Sequence, residues 1–205
     1  MSSYPALFSI LCLVKLFSCN EADLGKQVID AANFPLSLGS IWRYAIYDSI
    51  KHRADTVVVS IIDSTALSDG VPAAVWQYAY SHSVDTQYVA QSGDSILVYR
   101  SPDVRSLSMV LVLPLEVGRQ WTSSPPASMK VTAREKVDVP GGSFARALRV
   151  EQHPFIGNFY GGTTYWFVPD VGLVRMRRAW MDTMADDRVN IVWELLSFER
   201  RQKEK

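Results

Sequence analysis

Runs of β-branched and aromatic residues alternate with polar positions through most of the chain from residue 34 onward. In the segment AAVWQYAYS (73–81), Trp76, Tyr78 and Tyr80 would share one face of an extended strand, because successive side chains point to opposite sides. The segment SMKVTAREKV (128–137) alternates in the same way. A period of two residues is typical of strands, so these runs predict β-structure.

Proline and glycine divide this pattern into separate strands. No sustained helical periodicity competes with it. We therefore predict one all-β domain over residues 34–198, an antiparallel, strongly curved open sheet or barrel of about ten or eleven strands, with a sandwich as the remaining arrangement. The predicted strands are 41–50, 55–64, 73–81, a hairpin over 86–100, 128–137, 143–152, 163–168, 172–181 and 188–198.

Two nine-residue segments share the pattern apolar-Pro-Leu-x-apolar-Gly-x-x-Trp: FPLSLGSIW (34–42) and LPLEVGRQW (113–121). In each segment, proline ends the preceding element and glycine permits a left-handed turn. Trp42 and Trp121 would then open strands that face the core, so both are predicted to be buried. The repeat suggests a duplicated half-domain, whereas ligand platforms at the two tryptophans are the functional alternative.

The first apolar run of the chain ends at a cysteine. PALFSILCLV (5–14) is too short to span a bilayer but suits the core of a signal peptide, which predicts a signal over residues 1–18. Without it, Cys19 has no second cysteine with which to form an internal disulfide. LFSC (16–19) resembles a bacterial lipobox, and the resemblance implies cleavage before Cys19 and its acylation. A secretory signal with an incidental cysteine is the alternative.

The polar segment 19–33 is interpreted as a lipidated tether, and residues 199–205 as a polar tail. Several acyl chains would make attachment to a membrane stable, at ~0.8 kcal/mol for each buried CH₂ group. The predicted location is therefore the bacterial cell envelope, at the outer membrane, on its periplasmic or surface face. The formal net charge is zero, and no basic cluster marks a nucleic-acid surface, so the predicted partners do not include nucleic acid.

Four motifs resemble those of a group of uncharacterised bacterial envelope lipoproteins. The motifs are FPLSLGSIW, LPLEVGRQW, VPGGSFARALRVE (139–151) and YWFVPDVGLVR (165–175), in this order. The resemblance covers most of residues 34–198, and Asp170 stands where the group more often has glycine. It implies an all-β fold akin to the curved sheets of lipoprotein-carrier proteins, and it implies no activity.

The residues offer no recognisable catalytic or metal site, and no cofactor is predicted. His52, His82 and His153 do not have the spacing of zinc ligands. SGDS (92–95) lacks the later Asp-x-x-His that a GDS-type esterase needs, and a hairpin turn explains it better. DTMADD (182–187) could supply oxygen ligands to Ca²⁺, but its spacing fits no EF-hand, so a solvated loop is the simpler interpretation.

The segment FIGNFYGGTTYWF (155–167) combines six aromatic residues with three glycines. Stiff aromatic side chains on adaptable backbone are typical of surfaces that bind apolar ligands or sugars. The predicted contact residues are Phe155, Phe159, Tyr160, Tyr165 and Trp166. We expect a non-enzymatic envelope protein that binds an apolar, lipid-like ligand or a partner. The alternatives are a carbohydrate-binding protein, a hydrolase without a recognisable motif, and aromatic side chains that only pack in the core.

Overall fold

The computed structural model describes residues 34–124, 126–154, 159–182 and 187–200. The predicted signal peptide and tether, and most of the polar tail, lie outside these residues. Twelve strands run through the described chain: β1 (Ile41–Asp48), β2 (Arg53–Ala66), β3 (Pro72–Tyr80), β4 (Val84–Ser92), β5 (Ser95–Tyr99), β6 (Leu107–Val112), β7 (Gln120–Ser123), β8 (Ala127–Val139), β9 (Gly142–Pro154), β10 (Phe159–Val168), β11 (Gly172–Asp182) and β12 (Asp187–Glu199). None of the described segments is a helix long and apolar enough to span a bilayer.

All twelve strands belong to one antiparallel sheet with the order β6-β5-β4-β3-β2-β1-β12-β11-β10-β9-β8-β7. The sheet curves into a nearly closed barrel shape, which confirms the predicted fold class. Two short strands of the described chain, β6 and β7, lie outside the strand ranges predicted above, although the motif that ends at Trp121 does predict a strand entry at β7. The sequence of β6, LSMVLV, is too uniformly apolar to show a period of two.

The two nine-residue motifs begin equivalent halves of the sheet. Gly39 and Gly118 both adopt the predicted left-handed conformation, with φ of 80° and 96°. Each glycine N–H donates to a strand carbonyl, Gly39 to Ile61 and Gly118 to Val131, both at 2.8 Å. The tryptophan that closes each motif occupies the second position of β1 or of β7. The halves β1–β6 and β7–β12 therefore repeat the same strand entry, as a duplication would.

The inward faces of the strands form a large part of the core. Trp42 is 1% exposed and stacks between Trp76 and Phe198, with ring centroids 5.1 Å apart in both pairs. Its indole N–H donates to the Val171 carbonyl at 2.7 Å. Trp121 is only partly buried, although it packs against the core. The prediction of burial is thus confirmed for Trp42, whereas Trp121 lies at an edge of the sheet, where fewer strands cover it.

The two junctions between the halves are built differently. At the first, a backbone ladder of eight residue pairs joins β1 to β12. At the second, which we call the seam, side chains connect β6 to β7. The Trp121 indole donates to the Val110 carbonyl at 2.8 Å, and the Ser123 hydroxyl accepts from the Val110 N–H at 2.8 Å. These bonds satisfy edge groups that a ladder would otherwise pair.

The segment 34–40 lies across one end of the barrel-shaped sheet. Phe34 and Leu36 pack against the core. A Cβ atom added to Gly172, the first residue of β11, would lie 2.9 Å from the Pro35 side chain, so the segment fits closely against the start of that strand. We call this the closed end. The opposite end, where β3, β5 and β11 finish, is the open end.

Candidate ligand cavity

The curved sheet encloses a cavity of about 790 Å³ that reaches from the closed end to the open end. This volume lies in the range of roughly 300–1,000 Å³ that is typical of small-molecule sites. The base of the cavity, towards the closed end, is apolar. It is lined by Phe34, Val59, Val89, Ile96, Phe167 and Leu173. Such a base favours an apolar group because contact with it removes apolar surface from water.

Aromatic side chains form the middle of the cavity wall. Trp76, Tyr78 and Tyr80 alternate along β3 and all line the cavity, as their shared face predicts. They also pack against the core cluster around Trp42. Trp193 of β12, three strands away in the sheet, contacts Tyr80 edge-on, with ring centroids 6.1 Å apart. Trp76, Tyr78 and Tyr80 therefore both pack against the core and line the cavity.

The tyrosine hydroxyls of this wall remain protonated at neutral pH. Burial raises the pKa of Tyr78, and the nearby carboxylate of Asp85 raises it further. Burial likewise raises the pKa of Tyr44 and of Tyr165. The Tyr44 hydroxyl donates to the Leu173 carbonyl at 2.9 Å, and the Tyr165 hydroxyl donates to Gln152 Oε1 at 2.8 Å. The wall thus presents neutral, polarisable surface and no tyrosinate.

Polar side chains line the cavity near the open end. Arg100 follows β5 directly, and Arg178 lies near the end of β11. Gln87 and Gln152 line the same part of the cavity. The cavity therefore changes from an apolar base, through an aromatic wall, to a polar mouth.

The structure separates the five residues predicted from the aromatic segment. Tyr165 is 8% exposed and faces the cavity. The adjacent Trp166 faces outward, where its indole donates to Glu135 Oε1 at 2.7 Å. Tyr160 is 63% exposed at the start of β10, by the open end. Phe155 and the side chain of Phe159 lie outside the described residues. Strand alternation therefore prevents Tyr165 and Trp166 from forming one surface.

The glycines of this segment allow strands to approach closely. A Cβ atom at Gly161 would overlap the Ala179 carbonyl of β11, and one at Gly162 would overlap the Gln152 carbonyl of β9. Both glycines lie within β10, in a strand that pairs on both sides. Their role is the tight fit between three strands, and the adaptable backbone expected from the sequence does not describe these two positions.

Within the described ranges, no group of three or more histidine, cysteine, aspartate or glutamate side chains is placed to hold a metal ion. His52 lies in a turn with φ of 49°. His153 Nε2 lies 3.7 Å from Glu151 Oε2, and its side chain is 60% exposed. The acidic loop 182–187 has its side chains outside the described residues.

The arginines of the mouth are functional candidates that the sequence pattern did not reveal. Met176, Arg178 and Trp180 alternate along β11 and line the cavity, so Arg178 interrupts an otherwise apolar face. Arg100 extends the inward face of β5 in the same way. The sequence did contain one signal for these residues, a charged residue among the alternating apolar positions of a strand. Charged side chains are rarely directed towards a protein interior unless they are paired or have a functional role.

Comparisons with known proteins identify the fold. No family model matches the sequence, and no curated protein matches it. A solved structure of a "putative exported protein with YmcC-like fold" from Bacteroides fragilis is similar, with a TM-score of 0.50 and 12% identity, covering 82% of this chain and 99% of that one. A "putative lipoprotein" from Parabacteroides distasonis has a TM-score of 0.46 and 14% identity, covering 81% of this chain and 97% of its own. At such identities the first similarity shows a shared fold.

Proposed function

We propose that this protein is a non-enzymatic lipoprotein of the cell envelope that holds an apolar, lipid-like molecule in the ligand cavity. The observation that carries the proposal is the cavity of about 790 Å³, with its apolar base and aromatic wall. Protein interiors are normally close-packed, so a space of this size inside a small domain forgoes many packing contacts. Filling it with an apolar ligand would restore them.

The chemistry of the wall supports a binding role. The groups with shifted pKa values that face the cavity are tyrosines, and burial keeps them protonated. Neutral hydroxyls orient a ligand without activating water or attacking a bond. The aromatic rings also support a lipid-like ligand over a sugar, since Trp42 and Trp76 stack on one another with an interplanar angle of 16° and do not form an exposed coplanar row.

The location rests on the sequence and on the fold. Cys19 follows a signal-like apolar run, as in acylated envelope proteins. The Bacteroides fragilis protein that shares the fold is named a "putative exported protein", which supports export of this chain as well. Attachment at Cys19 would hold the cavity close to a membrane, where lipid-like molecules are abundant.

The proposal predicts a lipid that co-purifies with the full chain. The protein is purified from its membrane fraction, washed free of bulk lipid, extracted with organic solvent and analysed by mass spectrometry. A matched pair of variants locates the ligand. Thr163 is 8% exposed and lines the cavity, whereas the neighbouring Thr164 points to the outer face.

Thr163→Phe should reduce the co-purifying lipid, because its ring occupies the cavity, and Thr164→Phe should leave it unchanged. Circular dichroism establishes that both variants fold. Equal lipid in all three proteins, a glycan in place of a lipid, or turnover of a generic ester would contradict the proposal.

A further inference from the structure

The charged side chains that line the described part of the cavity are both arginines. Arg100 and Arg178 lie at its mouth, and no described lysine or carboxylate joins them in the lining. Both residues are exposed, so their charges are accessible to solvent. The mouth therefore offers positive charge directly above an apolar base.

These two arginines differ from two partly buried arginines on the outer face of the same sheet. Arg149 of β9 lies 3.4 Å from Glu135 and 3.2 Å from Glu151. Arg175 of β11 lies 2.6 Å from Glu194. Among the described residues, by contrast, no carboxylate forms a salt bridge with the guanidinium of Arg100 or of Arg178. Arg149 and Arg175 are thus paired with carboxylates, whereas Arg100 and Arg178 are available to a ligand.

Two aspartates at the open end of the described chain, Asp55 and Asp85, are engaged elsewhere. Asp55, at the start of β2, accepts from the Thr56 N–H at 2.7 Å and bonds to Ser81. Asp85, near the start of β4, interacts electrostatically with Tyr78 and Tyr80. Neither aspartate lines the cavity. The side chains of Asp182 and Asp187 lie outside the described residues.

We propose that the ligand is an amphiphile whose anionic head group binds Arg178 and Arg100 at the mouth while its acyl chain occupies the apolar base. This inference rests on the proposed function and specifies its ligand. A guanidinium presents a planar fork of N–H donors that matches a carboxylate or a phosphate. Gln87 and Gln152, at the same level, supply amide groups for further hydrogen bonds to a head group.

The test compares probes that share a chain and differ in the head group: myristate, myristyl alcohol, and acetate as an anion without a chain. Binding to the full chain carrying Cys19→Ala, which has no acyl anchor of its own, is followed by the fluorescence of the cavity tryptophans at neutral pH. Myristate should bind about tenfold tighter than the alcohol, the effect of one charge-assisted hydrogen bond, and acetate should bind far more weakly than either.

Variants of the two arginines then test whether these side chains produce the preference for myristate over the alcohol. Arg178→Gln and Arg100→Gln should each weaken myristate binding by about threefold, so that the two arginines together account for the tenfold preference, and both should leave binding of the alcohol unaffected. Arg177→Gln is the matched control, because Arg177 is the neighbour of Arg178 on the outer face of β11. Arg178→Lys keeps the charge and should retain part of the preference, which separates a lost contact from a disturbed fold.

Equal affinity of wild type for myristate and the alcohol would overturn the head-group inference and leave the proposed function standing. The head-group inference also fails if Arg178→Gln keeps the full preference, or if acetate competes as well as myristate. Failure of both chain-bearing probes to bind would contradict the proposed function itself.

Discussion

At the residue scale, the cavity wall is built from side chains that combine a large apolar body with one polar group. Tyr44 and Trp42 each direct that group to a backbone carbonyl, of Leu173 and Val171 respectively. Trp76 is the exception, because its indole N–H is buried without a partner among the described residues. A buried donor without a partner costs about 1–3 kcal/mol, so the indole N–H of Trp76 lowers the free energy of unfolding.

The buried tyrosines predict a loss of stability in alkali. Their pKa values are raised above the ordinary value of 10.0 in the folded state. The folded protein therefore holds more protons than the unfolded chain above about pH 10, so the tyrosines contribute stability that is present below that pH and lost above it. Urea unfolding from about pH 8 to 11 should show the decline, with tyrosinate absorbance appearing only as the chain unfolds.

Tyr78→Phe removes one of these groups and should make the decline shallower. A stability that stays constant through about pH 11, or tyrosinate that forms in the folded protein near pH 10, would contradict the burial of these hydroxyls.

Some residue roles were open to prediction from the sequence and others were not. The turn glycines were predictable, because proline and an apolar residue at fixed offsets specify a left-handed strand entry. Asp170 replaces an expected glycine yet adopts φ of 62°, which explains why glycine is usual there. The opposite faces of Tyr165 and Trp166 follow from alternation alone. The approach of Gly162 to β9 could not be inferred, because it depends on a partner strand whose register only the folded sheet defines.

At the element scale, the seam is where the barrel-shaped sheet should open most readily. Side chains join β6 to β7, whereas a backbone ladder joins the equivalent strands β12 and β1. The sequence did not predict this difference, because β6 and β7 are short and their contact is not visible in either strand alone. Elements with fewer backbone hydrogen bonds unfold locally at lower free energy.

Ser123→Ala should weaken the seam. It removes the hydroxyl that accepts from the Val110 N–H, and losing one such bond costs about 1 kcal/mol or somewhat more. Hydrogen exchange should accelerate in β6 and β7 while the β1–β12 ladder stays protected. Thr122→Ala, at the exposed neighbouring position, is the control. Uniform acceleration across all strands would show that the seam is no weaker than the rest.

At the scale of the whole molecule, a cavity that opens at one end is combined with a predicted anchor at Cys19. The sequence was sufficient for the all-β class because strand periodicity is local. It was insufficient for the cavity, since an interior space depends on how many strands close the sheet and on which side chains meet across it.

The anchor makes its own prediction. In the cells that produce the protein, the wild-type chain should take up labelled fatty acid and fractionate with membranes, because acylated Cys19 holds it there. Cys19→Ala should release it to a soluble fraction. A variant that stays membrane-bound, together with a wild type that takes up no label, would show that Cys19 is incidental.

The proposed function depends on an acyl chain that lies inside the barrel-shaped sheet. A crystal structure of the protein grown with a fatty acid that carries bromine at its ω carbon would locate that chain, since anomalous scattering identifies the bromine atom. We expect a bromine peak at the apolar base of the cavity, near Leu173 and Val59. A peak confined to the outer surface, with the cavity holding ordered water only, would exclude an acyl-binding role for the cavity.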